Sequence, residues 1–348
     1  MAVGRHYINH TSISAVNPLA LADEIIAGKR LSRNDNLSEF LQMDLSALRR
    51  GANRIRKALC GNVFEFCGII NAISGKCGED CRFCAQSCCC HTSAEEYDIL
   101  SLEEIAHDAK KYETSGVGRY SIVTAGRGLH GKDFLQALCI YRELHGSTSL
   151  SLCASHGLQT EEEFRKLKAA GVTRYHANLE TSARYSPQIC STHTYQDKIE
   201  NILRARRAGL SVCSGGIIGM GETPEDRLNM AISLAELHIT SIPINLFTPI
   251  EGTPLAKTPP ISQEDALRTV AFFRYLNPTA QIRMAAGRRR FAKKESIQRL
   301  SFNHDSGHDC CHMYSCPIFH FDWPYSYFFY QFSYLFCPLS VRLEKRDG

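Results

Sequence analysis

Beyond about residue 100 the chain repeats one pattern: a polar cap, apolar residues at helical spacing, a glycine, then a short strand-like run. Ser101 with Glu104 has the spacing of a capping box and predicts a helix whose inner face is Leu102, Ile105, Ala109 and Tyr112. Gly116 closes it, and Arg119 to Thr124 reads as a strand. Phe134, Leu138 and Tyr141 mark the next helix, ended at Gly146 and followed by the strand SLSLCAS. Thr160 with Glu163 repeats the capping box, Gly171 closes that helix, and VTRYHANLE predicts a strand reaching Glu180. A helix from Tyr195 to Gly209 leads into LSVCSGG. Thr223 caps a helix with Pro224 in its first turn, ahead of the strand SIPINLF, and Ser262 caps the last clear helix before QIRMAAG.

With Phe64 to Ser74 as the first strand, seven strands alternate with helices. That alternation predicts an α/β fold of parallel strands wrapped by helices, with a TIM-type (βα) barrel as the favoured closure and an open doubly wound sheet as the alternative. Leu21 to about Leu59 reads as helix ahead of the barrel. After Phe302 the plan fails: PYSYFFYQFSYLFCPL and the Cys/His-rich stretch before it show neither helical period nor alternation, so the last βα unit is atypical or missing. The expected organisation is an N-terminal helical segment over 1–60, a barrel domain over 61–290, and a Cys- and aromatic-rich tail over 291–348, read as disordered.

Composition adds two constraints. Forty basic and thirty-six acidic residues leave a charge of +4. Five positives sit together at Arg288, Arg289, Arg290, Lys293 and Lys294, so the rest of the chain is near neutral and no nucleic-acid-binding surface is expected. No run of eighteen apolar residues occurs, which predicts no membrane helix. The start MAVGRHYINHTSISAVNPL lacks a charged region followed by an apolar one, so a cytoplasmic, reducing location is expected. There, sixteen cysteines point to metal ligation or redox chemistry rather than crosslinking.

The sharpest motif is GKCGEDCRFCAQS, with Cys77, Cys81 and Cys84 spaced C-x3-C-x2-C directly after the first strand. Three thiolates on one tight loop can each take one iron of a cubane and leave the fourth iron open. A structural zinc site would normally want a fourth ligand.

This motif, with Phe83 just before the third cysteine, resembles the radical S-adenosylmethionine superfamily. The resemblance narrows to the biotin synthase family through YHANLETS at Tyr175 to Ser182, VCSGGIIGMGET at Val212 to Thr223, PINLFTPIEGTPLA at Pro243 to Ala256, and IRMAAGR at Ile282 to Arg288. It implies a [4Fe-4S] cluster on the three cysteines, S-adenosylmethionine chelated at the open iron, and reductive release of a 5′-deoxyadenosyl radical. It also implies dethiobiotin as substrate, a flavodoxin- or ferredoxin-type electron donor, a homodimer, and an auxiliary cluster, [2Fe-2S] or a variant, that donates sulfur.

By that resemblance Asn178 and Glu180 contact the cofactor ribose, although the family usually carries Asp at the second place, and Asn178 and Asn245 hydrogen-bond the ureido ring of the substrate. Two residues apart on a strand, Asn178 and Glu180 are expected to share a face; a strand-end turn cap is the plainer role for either asparagine. Gly216, Gly219 and Gly221 are expected to let the cofactor approach the backbone. The auxiliary cluster of the better-known relatives is held by three cysteines and an arginine. Cys153, Cys213 and Arg283 fill three of those places, and Ser121 stands at the fourth. Serine is a poor iron ligand beside a thiolate, and Cys67 on the neighbouring strand is the expected substitute, its plainer role being a buried apolar residue. Cys88, Cys89 and Cys90 read as incidental. Two other readings remain open at this stage: a related radical enzyme, or an inactive iron–sulfur or zinc-binding protein with an abnormal C-terminus.

Overall fold

A computed structural model of the chain describes residues 16–61, 65–75 and 77–287. Helices α1 (Pro18–Ile26), α2 (Glu39–Gln42) and α3 (Leu45–Cys60) precede strand β1 (Cys67–Ile73). There follow α4 (Leu102–Thr114), β2 (Arg119–Thr124), α5 (Gly131–Ser147), β3 (Ser151–Ser155), α6 (Glu161–Ala169) and β4 (Val172–His176). The chain continues through α7 (Ser186–Ile189), α8 (Tyr195–Arg207), β5 (Ser211–Cys213), β6 (Gly216–Ile218), α9 (Pro224–Glu236), β7 (Ser241–Leu246), α10 (Gln263–Leu276) and β8 (Gln281–Met284).

The strands form one parallel sheet in the order β1-β2-β3-β4-β5-β7, with β6 and β8 also paired to β7. A doubly wound sheet would reverse direction at a switch point. This order does not reverse, and the curled parallel sheet is a partial TIM-type barrel, with no pairing of β8 to β1 among the described residues. The capping boxes predicted at Ser101 and Thr160 are present, and Thr223 makes a third with Asp226.

Four expectations need correction. The helical segment ahead of the barrel is three helices, because Gly28 takes φ 118° and Asp35 draws the chain into a turn by accepting from the Ser32 N–H (2.7 Å) and hydroxyl (2.9 Å). Gly146 does not end its helix, which runs on to Ser147. The strand read over LSVCSGG and beyond is split into β5 and β6. Pro243 of β7 has no N–H to donate to the ladder, and a Cβ on Gly215 would overlap the Pro243 carbonyl, so the break at Ser214–Gly215 matches the defect opposite. Finally, β4 ends at His176 rather than at Glu180. Beyond it, Leu179 and Glu180 both donate to the Gly215 carbonyl (3.0 and 3.2 Å), and Glu180 turns to φ 69°, a left-handed conformation costly for a residue with a Cβ.

The sheet's two faces differ in chemistry. Ile122, Leu152, Tyr175, Val212, Ile244 and Met284 are buried in the main apolar cluster. Each large side chain so buried contributes roughly 1.5–3 kcal/mol relative to exposure. The alternate positions, Ser121, Cys153, Arg174, His176, Cys213 and Arg283, line the inner cavity. Register aligns them: Ser121 lies opposite Cys153, Cys153 opposite Arg174, and His176 opposite Cys213. The N-terminal helices pack on the barrel through α10, where Tyr275 donates to the Pro18 carbonyl (2.9 Å) and occupies the space that a Cβ on Gly51 would need.

Candidate active site

The first sulfur-rich region is the loop after β1. Cys84 N–H donates to Cys81 O (3.1 Å), and Ser87 hydroxyl and Cys88 N–H donate to Glu79 O (2.9 and 3.1 Å), so the loop folds back on itself. Phe83 anchors it in a small apolar cluster with Ile189, Ile217, Met220 and Phe247. Asp80 ties it to the segment after α7 by accepting from Ser191 N–H (2.8 Å) and Thr192 N–H (3.1 Å). Cys77, Cys81 and Cys84 carry free, partly buried thiols. Burial pushes the Cys84 thiol up to about 12, and its hydrogen bond to Cys190, then burial, raises Cys81. Three free thiols on one short loop form a donor set for a metal cluster, which deprotonates its thiol ligands outright. Cys88 and Cys89 are exposed and 3.7 Å apart, with Cys88 Sγ 3.6 Å from the Gly78 carbonyl of the same loop.

The second region is the cavity inside the sheet, ≈ 50 Å³ in volume, with room for a small inorganic group. Cys67, Ser121, Cys153, Cys213, Asn245 and Arg283 all line it. Arg283 Nη2 donates to Cys213 Sγ (3.2 Å) and Nη1 to Ser241 Oγ (2.8 Å). Its Nε is buried with no acceptor among the described residues, which costs roughly 1–3 kcal/mol. Burial alone would raise the Cys213 thiol, but Arg283 and His176 overcome it and bring it down to about 6. Cys153 is likewise brought down to about 7 against burial, by its hydrogen bond with Cys67 and the Arg119 guanidinium. Cys67, the partner in that bond, is raised well above the ordinary thiol value by it and by burial. Ser121 sits beside Cys153 as expected. The donor set and the orphaned Nε therefore fit an anionic iron–sulfur group.

The asparagines are held by backbone. Asn178 Oδ1 accepts from Gly215 N–H (3.0 Å) and its Nδ2 donates to Glu180 Oε2 (3.3 Å). Asn245 Oδ1 accepts from Ala286 N–H (3.0 Å) and its Nδ2 donates to Gly216 O (3.3 Å). Both thus make the strand-end bonds of the plainer reading. Asn245 also lines the cavity, and Asn178 does not. A Cβ on Gly216 would overlap the Glu180 carbonyl and Met230, one on Gly219 would press on Ile261, and one on Gly221 on Tyr185. Nor is this a phosphate loop, because the Glu222 carboxylate already accepts from Gly219 and Met220 N–H (both 2.7 Å) and pairs with Arg227 (2.9 Å).

Sequence reasoning missed several lining residues. His176 Nδ1 lies 3.3 Å from Cys213 Sγ, and Arg119 Nη1 donates to Cys153 Sγ (3.6 Å). Arg119 and Arg174 both pair with Glu65 (3.0 and 3.2 Å), closing one end of the cavity with charge. Extending period two from Ser121 to Arg119, and along β4 to Arg174 and His176, would have found them. Cys190 and His193 beside Cys81 have no such signal, being more than a hundred residues from it in the chain. The basic cluster from Arg288 and the aromatic tail lie outside the described residues.

A model of the radical SAM superfamily matches residues 71–234, and one of the biotin and thiamin synthesis associated domain matches 243–314. The solved structure of methylornithine synthase superposes with TM-score 0.67 at 21% identity, covering 75% of this chain and 78% of that one. An [FeFe]-hydrogenase maturase gives 0.66 at 18% identity, over 77% of this chain and 63% of that one. At such identity these two establish the fold. The partial barrel and its three-cysteine loop define a radical S-adenosylmethionine enzyme. Among curated relatives, biotin synthase of Clostridium beijerinckii is 57% identical over 271 residues, 78% of this chain and 86% of that protein. That of Alkaliphilus metalliredigens is 55% identical over 268 residues, 77% and 84% of the two chains. The chain belongs to the biotin synthase family.

Proposed function

We propose that this protein converts dethiobiotin to biotin by radical insertion of sulfur, with the Cys77, Cys81 and Cys84 loop and the inner cavity as its two working sites. The observation that carries this reading is the gathering of Cys67, Cys153, Cys213 and Arg283 around one cavity, on the same sheet whose first strand leads into the three-cysteine loop. When bound, the four-iron cluster with S-adenosylmethionine supplies the hydrogen-abstracting radical, and the auxiliary cluster supplies sulfur.

The chain's own residues bind and orient. Cys77, Cys81 and Cys84 hold the [4Fe-4S] cluster, with Phe83 anchoring the loop. Cys67, Cys153 and Cys213 hold the auxiliary cluster, Ser121 being left out, and Arg283 offers its unpaired Nε to that cluster. Asn245 sits where it can reach both the cavity and the strand-end backbone. Asn178 and Glu180 fix the bend after β4 against which S-adenosylmethionine packs, with Gly216 and Gly219 keeping that bend tight. The cytoplasmic location, a flavodoxin- or ferredoxin-type donor, a homodimer and the boundaries 1–60, 61–290 and 291–348 are part of the same reading.

Anaerobic reconstitution with iron, sulfide, S-adenosylmethionine and dethiobiotin tests it. Biotin is the expected product. 5′-Deoxyadenosine without biotin, from protein fully loaded with auxiliary iron and sulfide, would assign the chain to a different radical reaction, and metal binding with neither product would make it inactive.

A further inference from the structure

Soft donors converge at one more place, where the segment after α7 meets the three-cysteine loop. Sγ of Cys81, Sγ of Cys190 and a ring nitrogen of His193 lie within 4.8 Å of one another. Cys81 S–H donates to Cys190 Sγ (3.7 Å), and His193 Nδ1 is 3.3 Å from the same sulfur. Cys190 is buried, and the His193 side chain is 10% exposed, so the group is shielded from bulk water.

The loop holds this group in place from two sides. Asp80 accepts from Cys190 Sγ (3.1 Å) and from the next two backbone N–H groups, fixing the segment that carries Cys190. Glu79 accepts from Thr192 Oγ1 (2.9 Å) and is ion-paired with the His193 imidazole. Glu79 Oε2 and Cys190 Sγ both meet Nδ1 of that ring, so an ion bound at Nδ1 takes the place of the proton that Glu79 now accepts. Two thiols and one imidazole form a donor set for zinc or ferrous iron with a fourth position open.

We propose that in the cluster-free protein Cys81, Cys190 and His193 hold one divalent transition-metal ion. Binding releases the two thiol protons and the Nδ1 proton that Glu79 accepts, and the two thiolates neutralise the dication. Because Cys81 belongs to both donor sets, the ion and the four-iron cluster exclude one another. On the reading of the loop given above, this site receives the first ferrous ion during cluster assembly and passes it inward through the shared Cys81.

The test is an anaerobic Co²⁺ titration of the reduced, metal-free full-length chain, read by thiolate-to-metal charge-transfer and tetrahedral d–d absorption. The wild type should bind one ion with both signatures. Cys190→Ser and His193→Gln should each lose them, Glu79→Gln, which removes a competitor for His193 Nδ1, should leave binding intact, and the Cys77→Ser, Cys84→Ser double variant should keep them. Bands that survive in Cys190→Ser but vanish in the double variant would put the ion on the three-cysteine loop and overturn the proposal, as would absence of the bands in the wild type. His193→Cys preserves three soft donors and should retain charge-transfer absorption, and circular dichroism of each variant separates lost binding from lost folding. In reconstitution, Cys190→Ser should slow four-iron cluster formation without lowering its final content; an unchanged rate would refute the handover. The Co²⁺ signal needs neither S-adenosylmethionine nor dethiobiotin, so failure of this site and failure of the proposed reaction are read separately.

Discussion

Cys77, Cys81 and Cys84 fall within eight consecutive residues, whereas Cys67, Cys153 and Cys213 come from β1, β3 and β5 and meet only inside the folded sheet. The loop is a local device: its shape comes from its own turns and from a clamp by Asp80. The cavity is a collective one, in which the sulfurs are placed by strand register and the thiols of Cys153 and Cys213 are lowered by groups from other strands, Cys67 with Arg119 and Arg283 with His176. A local site can tolerate strain elsewhere in the barrel. A collective site fails when any contributing strand shifts.

The largest effect should come from the loop. Cys77→Ala is expected to abolish four-iron cluster absorption and all 5′-deoxyadenosine formation, measured after anaerobic reconstitution. Retention of either would remove the loop from the chemistry.

Next comes the cavity. Cys67→Ala should lower auxiliary iron and sulfide and stop biotin formation while 5′-deoxyadenosine is still produced, and Ser121→Ala should change none of these. Unchanged iron and sulfide in Cys67→Ala, or a loss in Ser121→Ala, would reverse the assignment of the two positions.

Acid should distinguish the regions by stability. Burial holds His156 neutral, its pKa brought down to about 3 from an ordinary 6.5. Between those values the unfolded chain binds the extra proton, so stability is full above about pH 6.5 and falls by up to ~1.4 kcal/mol per pH unit as pH drops toward 3. His156 bonds Thr124 (3.0 Å) and Tyr141 (2.8 Å), and Tyr141 donates to Cys153 O (3.2 Å), so the cavity wall should loosen first. Urea denaturation at pH 7.5 and 5.0, with hydrogen exchange on β3, measures this. A His156→Gln protein with the same pH profile as the wild type would rule out the histidine as the cause.

The smallest effect is expected far from both regions. Thr160→Ala removes one capping box of α6 and should cost about 1 kcal/mol in thermal unfolding without changing iron content. A loss of iron in that variant would mean that the cavity senses helix ends, and the local-versus-collective distinction would weaken.

Much of the fold was legible because capping boxes, periodic apolar stripes and closing glycines act within a few residues of one another, as at Ser101 and Glu104. The errors fell where distant chain intervened. β4 stops at His176 because Gly215 accepts from Leu179 and Glu180, and β5 parts from β6 opposite Pro243. The glycines of the Val212–Thr223 block pack against Glu180, Ile261 and Tyr185, which no local pattern announces.

By itself the sequence determined the three-cysteine loop and the alternation that makes a parallel sheet, because caps, apolar period and cysteine spacing act within a few residues, whereas Ser121, Cys153, Cys213 and Arg283 were pointed to by resemblance to the family. Only the tertiary structure decided that Cys67 meets Cys153, that His176 and the Arg119–Glu65–Arg174 group complete the cavity, and that Cys190 and His193 stand beside Cys81. Those are contacts between strands and loops far apart in sequence, and they depend on register and on how the sheet curls, neither of which is written in any short stretch of residues.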